Sequence, residues 1–354
     1  MAMLVHAMGW FAGRFGYNTH TRGLFGALSR LRPVVATWLP EQAVAPDRAA
    51  IAAAWPGRPV ASIALLPGEL CGVLSGAPPG PRIACTVWES TRLPDNWLPP
   101  LLAADQVWIP SAWGRNILVD NGIPADRVKV VPEGVDPALF HPGVPPAPFL
   151  AAKPGFKVLA VGKWERRKGL DVLIRAFERA FGERDEAWLV LACDNPFRSV
   201  DLRRELVAAG LRRPGRLLVV PPVARPEVFA GLYTACDLFC LPTRAEGWGL
   251  PIIEAAACGL PVVVTGWGGQ SEFLGDWARL IGHRLVPVDG IEFERADGDR
   301  GLWAEPDEDH LVALLREAHA DRAAARARGR AGAAAVAAAF TWEHAARTAH
   351  GLLA

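Results

Sequence analysis

Neither sign of charge predominates in this sequence, and cysteine is scarce. Lys and Arg together number 38 against 37 Asp and Glu, which gives a formal net charge of +1. This balance argues against a general polyanion binder, so nucleic acid is not an expected partner. The six cysteines show no paired CxxC spacing and no clustered histidine; they stand at positions 71, 85, 193, 236, 240 and 258. They indicate reduced core residues of a cytoplasmic protein rather than disulfides or a zinc site.

Long apolar runs are also missing. No uninterrupted apolar stretch reaches the ~18 residues that a membrane span needs, and the N-terminus has no charged region followed by a cleavage site. We therefore expect no transmembrane segment. No G-x-G-x-x-G follows a strand-like run with an acidic residue ~20 positions later, which argues against a dinucleotide dehydrogenase.

Strand-like apolar runs alternate with helical patterns along the chain, and this alternation implies parallel sheets built from βαβ units. In the first half the runs lie near 3–7, 34–38, 62–66, 83–87, 106–109 and 128–131. In the second half they lie near 157–161, 188–192, 217–220, 238–241 and 262–265. Since 354 residues exceed what one core usually organises, the sequence predicts two domains.

The segment from His141 to Pro154 contains five prolines and one glycine. This composition predicts a stiff, non-helical connector between the two domains. Further on, Asp307 to Ala339 reads as one or two helices, and its alanine-rich, arginine-dotted part indicates a solvated helix rather than a membrane-surface element.

Two carboxylates stand eight positions apart, at Glu246 and Glu254, with two glycines and a proline between them. The apolar run before them predicts a strand, and Pro251 suits the first position of a helix, which would place Glu254 in the first helical turn. Bare amides at a helix start favour an anion, while carboxylates accept hydrogen bonds from neutral hydroxyls. A sugar nucleotide offers both groups. Equally, Glu254 could only complement the helix dipole, and Glu246 could be a solvated loop residue.

Lysine is rare, with five in the chain, and two of the five fall in one strand-to-helix loop. Lys163 and Lys168 are each flanked by a glycine there, which predicts phosphate contacts. The helix after this loop has an apolar stripe of Leu170, Leu173, Ile174, Phe177 and Phe181. Arg166 and Arg167 carry less information, because arginines are scattered along the whole chain. A basic, solvated loop is the alternative.

These motifs together resemble glycosyltransferase family 4, whose members are retaining enzymes that use nucleotide sugars. The resemblance rests on Gly162-Lys163, Lys168-Gly169 and the pair Glu246 and Glu254. Three further segments agree with it and extend it over nearly the whole chain: Gly13–Arg22, Val131–Asp136 and Thr341–Glu343. The fold it implies is α/β of the GT-B type, with two Rossmann-like parallel-sheet domains that face an interdomain cleft.

The resemblance implies a domain plan and a role for each donor-side residue. Residues 1–148 would form the acceptor-binding domain, with a C-terminal helix at about 340–354 packing back on it, and residues 149–339 would bind the nucleotide sugar. Lys163 and Lys168 would neutralise the diphosphate, Glu246 would hold the transferred sugar and Glu254 the ribose. Backbone amides of Gly247, Trp248, Gly249 and Leu250 would complete the cradle, and the base would lie near Val223.

The chain departs from the family pattern at two positions. The first phosphate-binding residue, usually Arg, is Lys163, which keeps the charge but not the bidentate geometry. Where many members have a His after the fourth strand, this chain has Trp88 and Glu89, so Glu89 is a candidate catalytic residue. It could also be a structural hydrogen-bond acceptor.

On the acceptor side the candidates are Gly16, Asn18 and His20, with a helix cap and a satisfied histidine as the alternatives for the last two. A saccharide, a lipid-linked sugar or a small molecule could be the acceptor. No cofactor and no metal are expected. Asp297-Gly-Asp299 matches an Asp-x-Asp metal motif, but no apolar strand precedes it, and it reads as a surface loop.

The expected function is therefore metal-independent transfer of a hexose, with retention, from a UDP- or GDP-sugar to an acceptor hydroxyl. Two alternatives stay open, a nucleotide-sugar epimerase on the same architecture and a non-catalytic subunit that binds sugar nucleotides. A glycoside hydrolase is rejected, because its two carboxylates must flank one glycosidic bond, whereas here they would hold opposite ends of the donor.

Overall fold

A computed structural model describes residues 3–13, 15–39, 59–195, 199–223, 225–289 and 297–354. The chain divides into two compact units. Unit 1 comprises Met1–Asp136, Phe293–Gly301 and Phe340–Ala354, and unit 2 comprises Pro137–Glu292 and Leu302–Ala339. The units thus separate between Asp136 and Pro137, whereas the predicted boundary follows residue 148.

Unit 1 is built, in its described part, on a six-stranded parallel sheet of order β2-β1-β3-β4-β5-β6. The strands are β1 (Leu4–Gly9), β2 (Val34–Trp38), β3 (Val60–Leu65), β4 (Arg82–Cys85), β5 (Gln106–Ile109) and β6 (Val128–Val130). Its first helices are α1 (Gly16–Leu28), α2 (Leu98–Leu102) and α3 (Ala112–Asp120). Every residue of β1 and β3 is buried, as in a parallel sheet covered on both faces.

Unit 2 holds a second parallel sheet, whose six strands in the described residues have the order β12-β11-β10-β7-β8-β9. They are β7 (Phe156–Lys163), β8 (Ala187–Asp194), β9 (Leu217–Val219), β10 (Leu238–Leu241), β11 (Val262–Thr265) and β12 (Arg279–Ile281). A separate antiparallel hairpin pairs β13 (His283–Pro287) with β14 (Leu302–Pro306). The helices are α4 (Pro148–Ala151), α5 (Leu170–Ala180), α6 (Leu202–Ala208), α7 (Pro226–Thr234), α8 (Leu250–Ala257), α9 (Glu308–Ala320) and α10 (Arg322–Ala339).

The structure confirms all eleven predicted strands to within a few residues at each end. It adds β12 and the hairpin β13–β14, which the sequence pattern did not predict. For β13 the reason is exposure, because four of its five residues are solvent-exposed. A strand that buries little leaves no periodic signal.

The proline-rich segment from His141 to Pro154 lies within unit 2 and is not wholly non-helical, which corrects the prediction. Pro148 begins the short helix α4, where its missing N–H costs nothing because the first turn has no partner for it. The segment after Asp307 forms two helices, and Asp307 caps the first of them by accepting a hydrogen bond from the His310 amide at 3.0 Å. None of the helices in the described residues combines the length and the hydropathy that a membrane crossing requires.

The last helix, α11 (Trp342–Leu352), belongs to unit 1 and packs on α1. The Thr341 hydroxyl caps it, and Val135 forms a parallel bridge with Thr341. A Cβ at Gly134 would overlap the backbone of Thr341 and Trp342, so the chain approaches there as closely as only glycine allows. At the other end of α11, the buried Arg32 donates hydrogen bonds to His350 Nδ1 at 3.1 Å and to the His350 carbonyl at 3.2 Å.

Two glycines of α1 allow a matched test of this packing. A Cβ at Gly23 would overlap the ring of the buried Trp342, whereas one at Gly26 would meet nothing within 4 Å. We expect Gly23→Ala to lower the free energy of unfolding by about 1–3 kcal/mol through overpacking. Gly26→Ala should raise it by roughly 0.5–1 kcal/mol, because alanine loses less entropy in a helix. Calorimetry of both variants checks this, and equal effects would contradict the packing.

Candidate functional site

The candidate site is built where two strand-to-helix loops of unit 2 meet. Strands β7 and β10 are parallel neighbours, with Leu238 paired to Val158 and Phe239 to Leu159. The loop from β7 to α5 carries Lys168, and the loop from β10 to α8 carries Glu246. Because the carboxyl ends of parallel neighbours share one edge, both loops lie where open α/β sheets bind ligands.

Glycines shape both loops at two points. Gly169 has φ +66°, and a Cβ there would overlap the carbonyl oxygen of Pro242 on the other loop. Gly249, the N-cap of α8, has φ +101°. Both conformations are left-handed and favour glycine. The two loops therefore touch through bare backbone.

The start of α8 differs slightly from the prediction. The helix begins at Leu250, so Pro251 is its second residue and Glu254 its fifth, past the first turn. The left-handed Gly249 already serves as the N-cap, which moves the start one residue earlier. Glu254 consequently lies too far along the helix to act as a first-turn partner of the helix dipole, which removes that alternative reading.

Lys168 and Glu246 form a buried ion pair across the two loops. Lys168 Nζ lies 2.5 Å from Glu246 Oε1, and the two side chains are 8% and 5% exposed. The Thr243 hydroxyl donates to the same Glu246 oxygen at 3.3 Å. Burial opposes ionisation of Glu246, but the charges of Lys168 and Arg167 outweigh it and hold the pKa of this carboxyl below its usual value. Glu246 is therefore a charged acceptor inside the protein, not a solvated loop residue.

The pair continues into a row of alternating charges. Arg167 Nη1 lies 3.6 Å from Glu246 Oε2, and Arg167 Nη2 lies 3.0 Å from Glu165 Oε2. Glu165 Oε1 in turn lies 2.7 Å from Nζ of Lys163, whose side chain is 32% exposed. Burial raises the pKa of Glu165, yet Arg167 and Lys163 overcome this and bring it to about 2. Three cations against two carboxylates make this row an environment that favours an anion.

A third loop follows β11, the strand next to β10, and packs against the loop that carries Glu246. The Gly269 amide donates to the Glu246 carbonyl at 2.7 Å, and a Cβ at Gly269 would overlap the Gly247 carbonyl. The side-chain amide of the buried Gln270 donates to the carbonyls of Thr265 and Trp267, which closes this loop on itself. The backbone of the predicted cradle is thus held from both sides.

Glu254 is buried one helical turn beyond the cradle. Tyr233 of α7 donates a hydrogen bond to Glu254 Oε2 at 2.7 Å, and the two residues are 0% and 8% exposed. Burial raises the pKa of Glu254 to about 7, although the hydrogen bond from Tyr233 partly opposes the rise. This carboxyl can accept from a neutral hydroxyl, as Tyr233 shows.

The other predicted donor-side residues lie along the same sheet edge. Gly247, Trp248, Gly249 and Leu250 are all buried, and the Trp248 ring packs on Phe273 with centroids 5.0 Å apart. Val223 follows β9, which lies two strands from β7 in the sheet order, and it is half-buried. Lys168 and Glu246 are in direct contact, whereas Val223 lies farther along the same edge of the sheet.

The predicted acceptor-side residues all belong to unit 1. Gly16 is exposed at the first position of α1, and Glu89 is half-buried after β4. Asn18 is buried, accepts from the Phe15 amide at 2.9 Å and donates to the Trp10 carbonyl at 3.1 Å, so its side chain caps α1. His20 is 1% exposed, stacks on Trp342, and has Nδ1 3.3 Å from Glu133 Oε1 without hydrogen-bond alignment. The structure thus uses Asn18 and His20 inside unit 1.

Several residues of the site carried no signal that the sequence pattern could distinguish. Arg167 is one arginine among many in the sequence, yet it is 4% exposed and its Nη1 donates to the Ala245 carbonyl at 2.9 Å. No sequence motif points to Glu165 or Tyr233 either. The Gly268-Gly269-Gln270 turn could have been found, because it follows a predicted strand that ends in the same sheet.

Two other features of the described residues lie apart from this site. No group of three or more His, Cys, Asp or Glu there could hold a metal ion. Asp297 and Asp299 are exposed and accept from the amides of Asn96 and Gly301, as expected of a surface loop. A cavity of about 870 Å³ elsewhere in unit 2 is lined by arginines such as Arg213, which donates to the Glu178 carbonyl near the end of α5. Since such arginines cap a helix end, we assign the cavity no role.

Known proteins are similar in sequence to the part of the chain that carries this site. Residues 155–316 match the family model described as "Glycosyl transferases group 1". A curated relative, D-inositol 3-phosphate glycosyltransferase of Xylanimonas cellulosilytica, is 34% identical over 235 residues, which cover 64% of this chain and 50% of that protein. The chain spans about half the length of the curated relatives it matches.

Solved structures resemble the chain over nearly its whole length. The Anabaena protein HepE in complex with UDP-glucose has a TM-score of 0.73 at 17% identity and covers 99% of each chain. Sucrose-phosphate synthase from Thermosynechococcus elongatus has a TM-score of 0.72 at 19% identity, with 99% of this chain and 98% of that chain covered. At such identities the likeness concerns the fold, and it confirms the predicted GT-B fold with two Rossmann-like parallel-sheet domains.

The raised pKa of Glu254 predicts a pH dependence of stability. The folded protein keeps a proton on Glu254 that the unfolded chain releases, so this group's contribution is full below pH 4.5 and is lost as the pH rises to about 7. Glu254→Gln removes the effect. Relative to the wild type, it should therefore gain roughly 3 kcal/mol of unfolding free energy across that window.

Urea unfolding at several pH values, followed by tryptophan fluorescence, measures this difference. The control is Glu227→Gln on α7, whose side chain is 69% exposed. Its difference from the wild type should stay constant with pH. A difference for Glu254→Gln that is equally flat would show that the Glu254 carboxyl titrates normally.

Proposed function

We propose that this chain is a family 4 glycosyltransferase that moves a sugar from a nucleotide sugar to an acceptor hydroxyl with retention of configuration. The observation that carries the proposal is the buried contact between Lys168 and Glu246 at the carboxyl edge of the unit 2 sheet. This contact places a cation that can bind phosphate next to a carboxylate that can accept hydrogen bonds from hydroxyls. The glycosyltransferase match over residues 155–316, which include both loops, supports it.

In the proposed site, Lys163 and Lys168 neutralise the diphosphate and so help it to depart. The amides of Gly247 to Leu250, at the positive end of α8, add to the same effect. Glu246 accepts hydrogen bonds from hydroxyls of the transferred sugar, and Glu254 accepts them from the ribose. The nucleotide base lies toward Val223, two strands away along the edge.

The proposed chemistry is displacement on one face of the sugar. The bond from the anomeric carbon to the diphosphate oxygen breaks, the bond to the acceptor oxygen forms on the same face, and the departing phosphate takes the acceptor's proton. No protein nucleophile is needed. We propose that no metal ion is needed either, since lysines and a helix terminus supply the positive charge.

The donor in this proposal is a UDP- or GDP-hexose. HepE was solved with UDP-glucose, which makes that compound the first to test. The acceptor binds to unit 1, near the exposed Gly16 and the half-buried Glu89, because Asn18 caps α1 and His20 is buried against Trp342. The name of the curated relatives makes D-inositol 3-phosphate a first acceptor to test. We place the reaction in the cytoplasm, in keeping with six free cysteines, five of them buried.

The test incubates the purified chain with UDP-, GDP-, ADP- and TDP-sugars and measures nucleotide release. Each donor is assayed alone, with D-inositol 3-phosphate and with cell-extract acceptors, in the presence and absence of EDTA. We expect release that depends on an acceptor and is unchanged by EDTA. Rearranged sugar without an acceptor would indicate an epimerase, and binding without release a non-catalytic subunit. Loss of activity with EDTA would contradict metal independence.

The division of roles predicts different effects for the two members of the ion pair. Glu246→Gln keeps a side-chain oxygen that can accept from Lys168, so Lys168 should stay in place and the Kd of free nucleotide should change little. Turnover should fall by about 100-fold through mispositioning of the sugar. Lys168→Ala should weaken nucleotide binding by roughly 1.5–3 kcal/mol, the usual value for a hydrogen bond to a charged group. Calorimetric titration and initial rates measure the two quantities.

The matched control is Lys153→Ala, which removes a unit 2 lysine that lies over the Trp188 ring, 4.9 Å from its centroid. Its turnover and its Kd for free nucleotide should both equal those of the wild type. Equal loss of nucleotide affinity in Glu246→Gln and Lys168→Ala would overturn the assignment of separate roles.

A further inference from the structure

Arg244 lies two residues before Glu246 and is 1% exposed. Every N–H group of its guanidinium donates a hydrogen bond. It makes a bidentate pair with Glu305 of β14, at 2.6 and 2.9 Å, and a second with Asp171 of α5, at 2.8 and 3.0 Å. Nη1 also donates to the carbonyl of Arg166 at 2.6 Å. These five bonds match the five N–H donors of an arginine.

The contacts between the two loops are reciprocal. The Arg244 side chain donates to the Arg166 carbonyl in the loop between β7 and α5, here called the lysine loop. The Arg167 side chain donates to the Ala245 carbonyl in the loop between β10 and α8, here called the glutamate loop. Between them, the Arg244 amide donates to the Arg167 carbonyl at 2.6 Å. The Thr243 hydroxyl oxygen lies 3.0 Å from that same carbonyl. Lys168 and Glu246 each follow this connection within two residues.

The two carboxylates that hold Arg244 come from elements outside both loops. Asp171 lies in the first turn of α5, and Glu305 lies on β14, whose Ala304 amide donates to the Arg244 carbonyl at 2.9 Å. The network therefore fixes the glutamate loop against a helix and a hairpin at once. A lysine could not reproduce it, because its ammonium has no planar fork for two carboxylates and a carbonyl.

We propose that Arg244 is a positioning residue that sets the separation of Lys168 and Glu246 by clamping the two loops together. Its role in donor binding rests on the proposed function, since Arg244 would act only through those two residues. Replacing it should loosen the ion pair while the sheet of unit 2 stays folded. Lys168 should then become more exposed, and a diphosphate should bind less tightly.

The test measures the acetylation rate of each lysine by acetic anhydride and mass spectrometry in the wild type, Arg244→Lys and Glu305→Gln. The second variant keeps Arg244 and removes the charge of one of its partners. It can therefore test the proposal even if Arg244→Lys fails to fold. In both variants we expect Lys168 to react about tenfold faster. This corresponds to a free energy for exposing Lys168 that is lower by roughly 1.4 kcal/mol. Lys157, which is 8% exposed on β7, is the internal control and should be unchanged.

Calorimetric titration with UDP provides the second readout, and we expect a Kd raised about tenfold in Arg244→Lys. The control is Arg213→Gln, which breaks a 2.8 Å ion pair with Glu178 in the same unit. It should lower the melting temperature without changing the UDP Kd or the Lys168 rate.

Two results would overturn the proposal. One is a lower melting temperature in Arg244→Lys with no change in Lys168 reactivity or UDP affinity. The other is an equal rise in Lys168 and Lys157 reactivity, which indicates general loosening. If the wild type fails to bind any nucleotide sugar but Lys168 alone becomes reactive in both variants, the clamp is supported and the proposed function fails.

Discussion

Burying the ammonium of Lys168 is the constraint on which the rest of the site depends. A buried charge that loses its partner costs several kcal/mol, so the loop after β7 must bring Lys168 to a carboxylate. That carboxylate is Glu246, 2.5 Å away and 78 residues later in the chain. Each loop thus supplies the charge that the other must bury. The contact between the loops and the charge of the site therefore have one physical cause.

The surrounding structure supports this contact with bonds that do not involve the Lys168 ammonium or the Glu246 carboxylate. Gly169 allows the lysine loop to reach the Pro242 carbonyl, and Gly269 allows the third loop to reach Gly247. Arg167 and Arg244 cross-link the two main loops in opposite directions. A preorganised set of charges is what transfer of a diphosphate-linked sugar would require, because charges already in place do not reorganise during the reaction.

Much of the framework and part of the site could be predicted from the sequence. Strands β7 and β10, which precede the two loops, are apolar runs of ordinary length. Lys163 and Lys168 stand out because lysine is rare and a glycine flanks each, and Glu246 stands out because two glycines and a proline separate it from a second carboxylate. Arg167, Glu165 and Arg244 could not be found in this way. Their residue types are common throughout the chain, and what distinguishes them is a partner on another loop, helix or hairpin.

The sequence by itself determined the two parallel sheets and the loops that carry charged groups, because burial of alternating strands and helices leaves a periodic apolar pattern. Only the tertiary structure decided how each charged side chain is used. Asn18 and His20 are engaged within unit 1 rather than displayed, and Glu254 is held by Tyr233. The physical reason is that burial and partner choice depend on residues distant in sequence, and these set the charge state and the availability of each group.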